Sequence, residues 1–281
     1  MSKKMQRTSI ALLGALLVLL LAGIIVTGPP KAKQETMKEV MRDAVLHEAN
    51  KISFLGYKDV NPGFASAVTV SIFLLVIAAV IRIFVIPKFT YIPGKFQLLL
   101  EQLVGMFDGL AKSNSPHRNG FLGAYLFGAG AYIFVGTFFE LFGLQAVTTE
   151  GMSIALPAPL SDINGAIALG CLSYLVILSG GIAGNGLRGV GKTLKDFSLP
   201  ISMSFRLFGA LLSGLLVTEL VYYYINLSFV LPVVVGVLFT LLHALIQTYV
   251  LTMLTALFYG EVSEPAEPKP KKVRTNKKVT A

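Results

Sequence analysis

"ISMSFRLFGALLSGLLVTEL", residues 201–220, sets one arginine inside a run that is otherwise apolar or small until Glu219. A helix crossing a bilayer needs about 20 mostly apolar residues, and a charge at its centre costs ~2.5–3.5 kcal/mol on insertion scales. Either this stretch is a membrane helix that carries Arg206 for a function, or it is the core of a soluble domain. Composition decides between them. Of the 281 residues, 54% are hydrophobic and only 14% are charged. That leaves too little charged surface for a soluble domain of this size, so the chain reads as a polytopic membrane protein.

Outward from this stretch, the apolar runs are 10–27, 65–86, 120–144, 164–184, 200–225 and 229–259. They are continuous rather than alternating, which excludes a membrane barrel and predicts an all-α fold. The last run is long enough to tilt strongly or to project. Residues 1–28 carry Lys3, Lys4 and Arg7 before an apolar run, and Gly28-Pro29-Pro30 follows. They read as a first transmembrane helix or as a signal peptide, with retention slightly favoured. A polar extracytoplasmic segment, 29–64, comes next. The membrane domain is placed at 65–260 and a disordered basic cytoplasmic tail at 261–281. Lys and Arg orient the chain with both termini inside. Loops 145–163 and 226–228 contain neither residue, whereas Lys88, Lys95, Lys112, Arg118, Arg188, Lys192 and Lys195 fall on the inner side. The net charge of +9 thus reflects topology and not a nucleic-acid-binding face. The single Cys171 can form no internal disulfide.

Two further stretches call for a reading. Residues 89–112 place Phe96, Leu99, Leu100, Leu103 and Phe107 at helical spacing among charged neighbours. They predict an amphipathic helix, lying at the inner interface or serving as an ordinary cytoplasmic connector. Residues 186–193, Gly-Leu-Arg-Gly-Val-Gly-Lys-Thr, match the P-loop pattern. That pattern needs a strand before it and a long helix after it in an α/β domain; here membrane runs flank it. It is read as a glycine-rich basic connector, and no nucleotide is assigned to this chain. The sequence carries no HExxH, CxxC or GxSxG, and no cofactor or metal is expected.

Ionisable groups within the spans are functional candidates by default. Arg206 lies six residues past Pro200, about 9 Å into its helix. It could snorkel to the inner interface, but Ser202, Ser204, Gly209, Ser213 and Gly214 make the helix small-sided, as a helix interface requires. Glu219 is roughly 20 Å further along and off the arginine's face, so the two are not a salt bridge. It sits either in the outer headgroup layer beside Tyr222–Tyr224 or in an ion channel. The last helix runs antiparallel to the arginine helix. Counting back from the turn, Gln247 reaches roughly the depth of Arg206, with His243 one turn further out on the same face. His243 is either a core histidine or a proton relay. Glu140, Asp162 and Asn164 add polar groups toward the outer side, and Asp196, Ser202 and Ser204 toward the inner side.

The sequence resembles subunit a of the F-type ATP synthase, the stator of its membrane rotor. "SMSFRLFGALLSG" (202–214) is similar to the family's S-x-x-x-R-L-F-G-N-x-x-[AS]-G, with Arg206 at the essential arginine. "IQTYVLTMLTALFY" (246–259) places Gln247 at the family glutamine. "YIPGKFQLLLEQLV" (91–104) and "LPAPLSDINGAIAL" (156–169) resemble P-x-x-x-Q-x-x-x-E and P-x-x-D-[LI]-N. The departures are Ala210 for the usual Asn, Leu215 for an acid or imidazole, Thr240 at the final-helix relay and Lys192 for a carboxylate. The resemblance implies five family membrane helices, preceded here by the extra N-terminal run. It also implies a hairpin of two long tilted helices facing a ring of c subunits, b subunits of a peripheral stalk, and a bacterial inner-membrane location. The implied role is non-catalytic: two offset half-channels and the arginine make proton or sodium flow turn the rotor that drives ATP synthesis on other subunits. The alternative from the residues alone is a self-contained ion channel or secondary transporter. That class often shows internal repeats, and none is visible here.

Overall fold

The computed structural model describes residues 38, 42, 51–149, 151, 153–223 and 231–265, without the side chains of 219, 222, 223, 231 and 232. The run 10–27, the connection 224–230 and most of the basic tail lie outside the described residues. The elements in chain order are β1 (Ile52–Phe54), β2 (Tyr57–Val60), α1 (Pro62–Val80), α2 (Lys95–Asn114), α3 (Leu122–Phe139), β3 (Gln145–Val147), β4 (Ser153–Ala155), α4 (Ile163–Asn185), α5 (Leu187–Lys195), α6 (Ser198–Tyr223) and α7 (Leu231–Ser263). Among the described residues, five segments are long and apolar enough to cross a membrane: Pro62–Lys88, Leu122–Phe142, Ile163–Asn185, Ser198–Thr218 and Val233–Ser263. The predicted all-α polytopic architecture holds, and α2 is, as expected, a helix outside this set.

Local sequence explains where the helices start and stop. Asn61-Pro62 opens α1: Pro62 has no N–H to leave unsatisfied, and Asn61 Oδ1 accepts from Gly63 N at 2.8 Å. At the far end Pro87 removes a backbone donor and its ring crowds the carbonyl one turn back. The preceding Ile81–Val85 widens into a π turn, and a 3₁₀ turn, Ile86–Lys88, ends the helix. Asp162 caps α4, its Oδ1 accepting from Asn164 N at 2.7 Å. Gly186, at φ 58°, closes α4 in a backbone conformation that side chains with a Cβ rarely adopt.

The bundle is built around α4 and α7. Helix α4 packs on α5, α6 and α7, and α7 also on α3 and α6. Leu126, Ile133, Ile177, Met203, Leu207, Leu211, Leu251 and Tyr259 form much of the buried core. Lipid offers no hydrophobic drive between helices, so close approach over small residues must hold them together. Gly170 lies so close to α6 that a Cβ there would sit 2.2 Å from Ser204 Oγ. Gly180 similarly meets the Tyr259 ring of α7. Helix α1 is the outlier, burying only Pro62, Gly63, Ala65, Ser66 and Val70 near its start.

Two features were not anticipated. Segments 51–60 and 145–155 form two antiparallel hairpins, β1–β2 and β3–β4, joined by an Ile52–Thr148 bridge and by Thr149 N donating to Lys51 O at 2.9 Å. Each strand has only three or four residues, and the first turn uses Leu55-Gly56 at positive φ rather than Asn-Gly, so no hairpin signal was present. Residues 157–162 are also buried as a whole, with the turn Pro159–Ser161 set among α1, α3, α4 and α6.

Candidate functional site

Arg206 lies on the outward side of α6. Ile201, Ser202, Phe205, Arg206, Gly209 and Ser213 are exposed, while Met203, Ser204, Leu207 and Leu211 are buried against the bundle. These sets alternate with the helical period, so the arginine sits in the middle of a stripe whose other members are mostly small. Among the described residues Arg206 makes neither an ion pair nor a hydrogen bond. A guanidinium has five N–H donors and stays charged at any working pH. The fold thus projects a permanent cation from a membrane span, away from its own bundle.

The small residues of this helix divide between two roles. Ser202, Gly209 and Ser213 flank Arg206 on the exposed side. Ser204 is 3% exposed, donates to Pro200 O at 2.7 Å, and packs on α4. Gly214 turns toward α7, where a Cβ would meet His243 Nδ1 at 3.2 Å.

That contact brings the two helices together at this level. Counting antiparallel from Gly214–His243 sets Gln247 opposite Ala210 and Leu251 opposite Arg206. On that count Gln247 lies within about one turn, ~6 Å, of the arginine's level. Gln247 belongs to a buried stripe on α7 with Thr240, Ala244, Leu251 and Thr255. Its Oε1 is buried and accepts no hydrogen bond among the described residues. His243 is half-buried, with the Phe239 ring centroid 5.7 Å from its own. His243 and Gln247 share the side of α7 that meets α6. Thr240 is buried on the same helix. Glu219 belongs to α6, but its side chain lies outside the described residues.

The other candidates occupy separate places. Glu140 begins the 3₁₀ turn Glu140–Phe142 at the end of α3, which packs against α7. Asp162 is 7% exposed and uses both oxygens locally: one caps α4, and the other accepts from Asn61 Nδ2. The pair joins the N-termini of α1 and α4. Asn61 is not among the sequence-predicted site residues, although its Asn-Pro dipeptide is a helix-start signal. Asn164 is exposed on the first turn of α4. Asp196 is half-buried at the C-terminal cap of α5.

The P-loop look-alike is consumed by packing. Thr193 donates to Gly189 O at 2.9 Å, and its carbonyl accepts from Tyr174 Oη at 3.1 Å. Lys192 Nζ donates to Glu261 O at 2.5 Å, and Asn185 Nδ2 to Val262 O at 3.0 Å. These bonds satisfy terminal carbonyls of α7, which have no acceptor role within their own helix, and Lys192 also complements the negative end of its dipole. His117 Nε2 and Ser263 Oγ, 2.9 Å apart, tie the loop before α3 to the same end.

Comparison with known proteins agrees with this architecture. The family described as ATP synthase A chain matches over residues 66–260. The chain is 26% identical over 200 residues to ATP synthase subunit a of Cereibacter sphaeroides (strain ATCC 17025), covering 67% of this chain and 76% of the relative. It is 28% identical over 196 residues to ATP synthase subunit a of Histophilus somni (strain 129Pt), covering 59% and 73%. With five spans in this arrangement and a family match across more than half its length, the chain belongs to the ATP synthase A chain family, the non-catalytic a subunit of the membrane sector.

Proposed function

We propose that this chain is the ion-translocating stator against which a ring of c subunits turns, with Arg206 as the gate between two offset half-channels. One observation carries the reading: an arginine about a third of the way along α6 faces away from its own bundle, unpartnered among the described residues, on a stripe that includes Ser202, Gly209 and Ser213. A fixed cation in that position lowers the pKa of a carboxyl brought opposite it and holds that carboxyl ionised. It cannot itself carry a proton, because its pKa exceeds 12. An ionised carboxylate is held at the arginine, while a protonated neutral one moves through lipid at low cost. An ion entering from outside neutralises one ring carboxylate, the ring steps, and another discharges inward. Each charge crossing gains ~2.3 kcal/mol per 100 mV.

His243 and Glu219 would serve the outer half-channel, with Gln247 next to the gate. Glu140, Asp162 and Asn164 would contribute at the outer side, and Asp196, Ser202 and Ser204 at the inner side. Asp162 and Ser204 would act there through helix placement, given the bonds that occupy them. The complex would reside in the bacterial plasma membrane with b subunits as stalk partners.

The test is ATP-driven ion pumping in inverted vesicles. Arg206→Ala in the whole complex should abolish pumping while the complex still assembles. Near-normal coupled pumping by that variant would reject the reading. Ring-independent flux through the isolated chain would favour a self-contained channel.

A further inference from the structure

We infer that Arg82, just past the end of α1, binds the phosphate of an anionic membrane phospholipid, and that the elbow joining α1 to α2 anchors the chain to that lipid surface. Arg82 and Arg206 are the two arginines within the five described spans. Like Arg206, Arg82 is exposed, and its guanidinium makes no ion pair or hydrogen bond among the described residues. Their neighbours differ. Arg206 is flanked by Ser202, Gly209 and Ser213, small residues that let another helix come close. Arg82 is flanked by Val80, Ile83, Phe84 and Ile86, all large and exposed. Arg82, Ile83 and Phe84 are also successive residues, so exposure runs round the helix instead of along one stripe. A partner helix covers a stripe; lipid covers every side.

Two contacts give the depth of Arg82. Asn61 bonds Asp162 where α4 begins, and 21 residues further along each chain segment Arg82 is level with Ala183, two residues before α4 ends. Val70 faces Gly136 of the antiparallel α3, and 12 residues from that contact Arg82 is level with Ala124, two residues after α3 begins. Both counts set Arg82 within one turn of the end of the bundle. About 20 residues of helix cross the hydrocarbon, and counted from Pro62 they end at Ile81. The guanidinium therefore meets the phosphate layer and not the bilayer centre. It stays charged at any working pH, and its forked N–H groups match phosphate oxygens.

The elbow continues the same surface. Gln97 closes it: its Oε1 accepts from Thr90 N at 3.1 Å, and its Nε2 donates to Thr90 O at 3.0 Å and to Glu101 Oε1 at 2.7 Å. Gln97 and Glu101 of the P-x-x-x-Q-x-x-x-E segment thus hold a formed loop whose tip, Tyr91 and Ile92, stands almost wholly exposed. Lys88 and Lys95, both exposed, lie on either side of that tip. No Asp or Glu occurs between residues 60 and 100. An apolar and aromatic tip between cations suits the boundary of an anionic bilayer, the ring and aliphatic chain entering the acyl edge while the cations meet phosphates. A free phosphate ion would use the cations and leave the tip without a role.

The experiment uses the whole complex in phosphatidylcholine vesicles that contain phosphatidylglycerol with a photoactivatable group near its glycerol. A matched arm carries the group on phosphatidylcholine instead. Peptide mapping after irradiation should place label on residues 82–97 from phosphatidylglycerol, and several-fold less from phosphatidylcholine. Arg82→Gln should cut the phosphatidylglycerol label there roughly fivefold, one cation's share of binding to an anionic surface, and Arg82→Lys should keep most of it. The readout is lipid contact and depends neither on Arg206 nor on pumping. Equal labelling from the two lipids, or labelling unchanged in Arg82→Gln, would overturn the inference. So would loss of the label on adding inorganic phosphate, or crosslinking of 82–97 to another protein chain in place of lipid.

Discussion

Two cations of this chain receive opposite treatment. Lys192, at the end of the bundle where α7 terminates, is bonded to a terminal carbonyl of α7, in a cluster where Asn185, Tyr174, Thr193, His117 and Ser263 each have partners. Arg206, on α6, is exposed and has no partner among the described residues. At that end the polar groups stabilise helix ends, a local and replaceable job. At Arg206 the fold leaves a charge without a partner among the described residues, as the proposed contact with a neighbouring subunit requires.

Several substitutions break or sharpen this contrast. The largest effect is expected from Arg206→Gln, which should eliminate coupled pumping and leave the Tm of the detergent-solubilised complex unchanged, as judged by paired transport and thermal-melt assays. A drop of several degrees in Tm would mean that the arginine is structural after all. Next comes Gly170→Val. A Cβ there would sit 2.2 Å from Ser204 Oγ and 3.0 Å from Pro200 O, so α4 and α6 must separate. Overpacking of this kind costs about 1–3 kcal/mol, and assembled complex recovered from membranes should fall accordingly. His243→Leu should slow transport by several-fold, because a general acid–base group of this kind contributes up to about 10²-fold or more where no bypass exists. Unchanged rates there, and in Glu219→Leu, would move the outer access path elsewhere. The smallest effect belongs to Lys192→Met. Losing one charge–dipole contact at a helix end should cost about 0.3–1 kcal/mol, visible as a small Tm decrease with transport retained.

The same contrast explains how far the sequence could be read. The five spans were legible because a bilayer demands long apolar runs, and the amphipathic α2 because its apolar spacing is helical. Arg206 stood out for the same reason. Which small residues of α6 face outward was not legible: Ser202 and Ser204 look alike in sequence, yet one flanks the arginine and the other packs on Gly170. Nor was the meeting of Gly214 with the His243 ring legible, because counting from a loop cannot supply a contact between α6 and α7. Asp162 looked like a channel carboxylate, and only three-dimensional proximity reveals Asn61 as its partner. Tertiary pairing over a hundred residues leaves no local trace. The hairpins at 51–60 and 145–155 were silent because strands of three or four residues have no measurable period.

Disulfide mapping bears most directly on the central claim that the Arg206 stripe meets a neighbouring subunit. Single cysteines would be placed in the intact complex at Ser202, Gly209 and Ser213, and as controls at Leu207 and Leu211, each combined with cysteines along the membrane helices of the ring subunit. The account predicts crosslinks to the ring from the first three positions and none from the two controls. Crosslinks from the buried positions, or none from any exposed one, would contradict it.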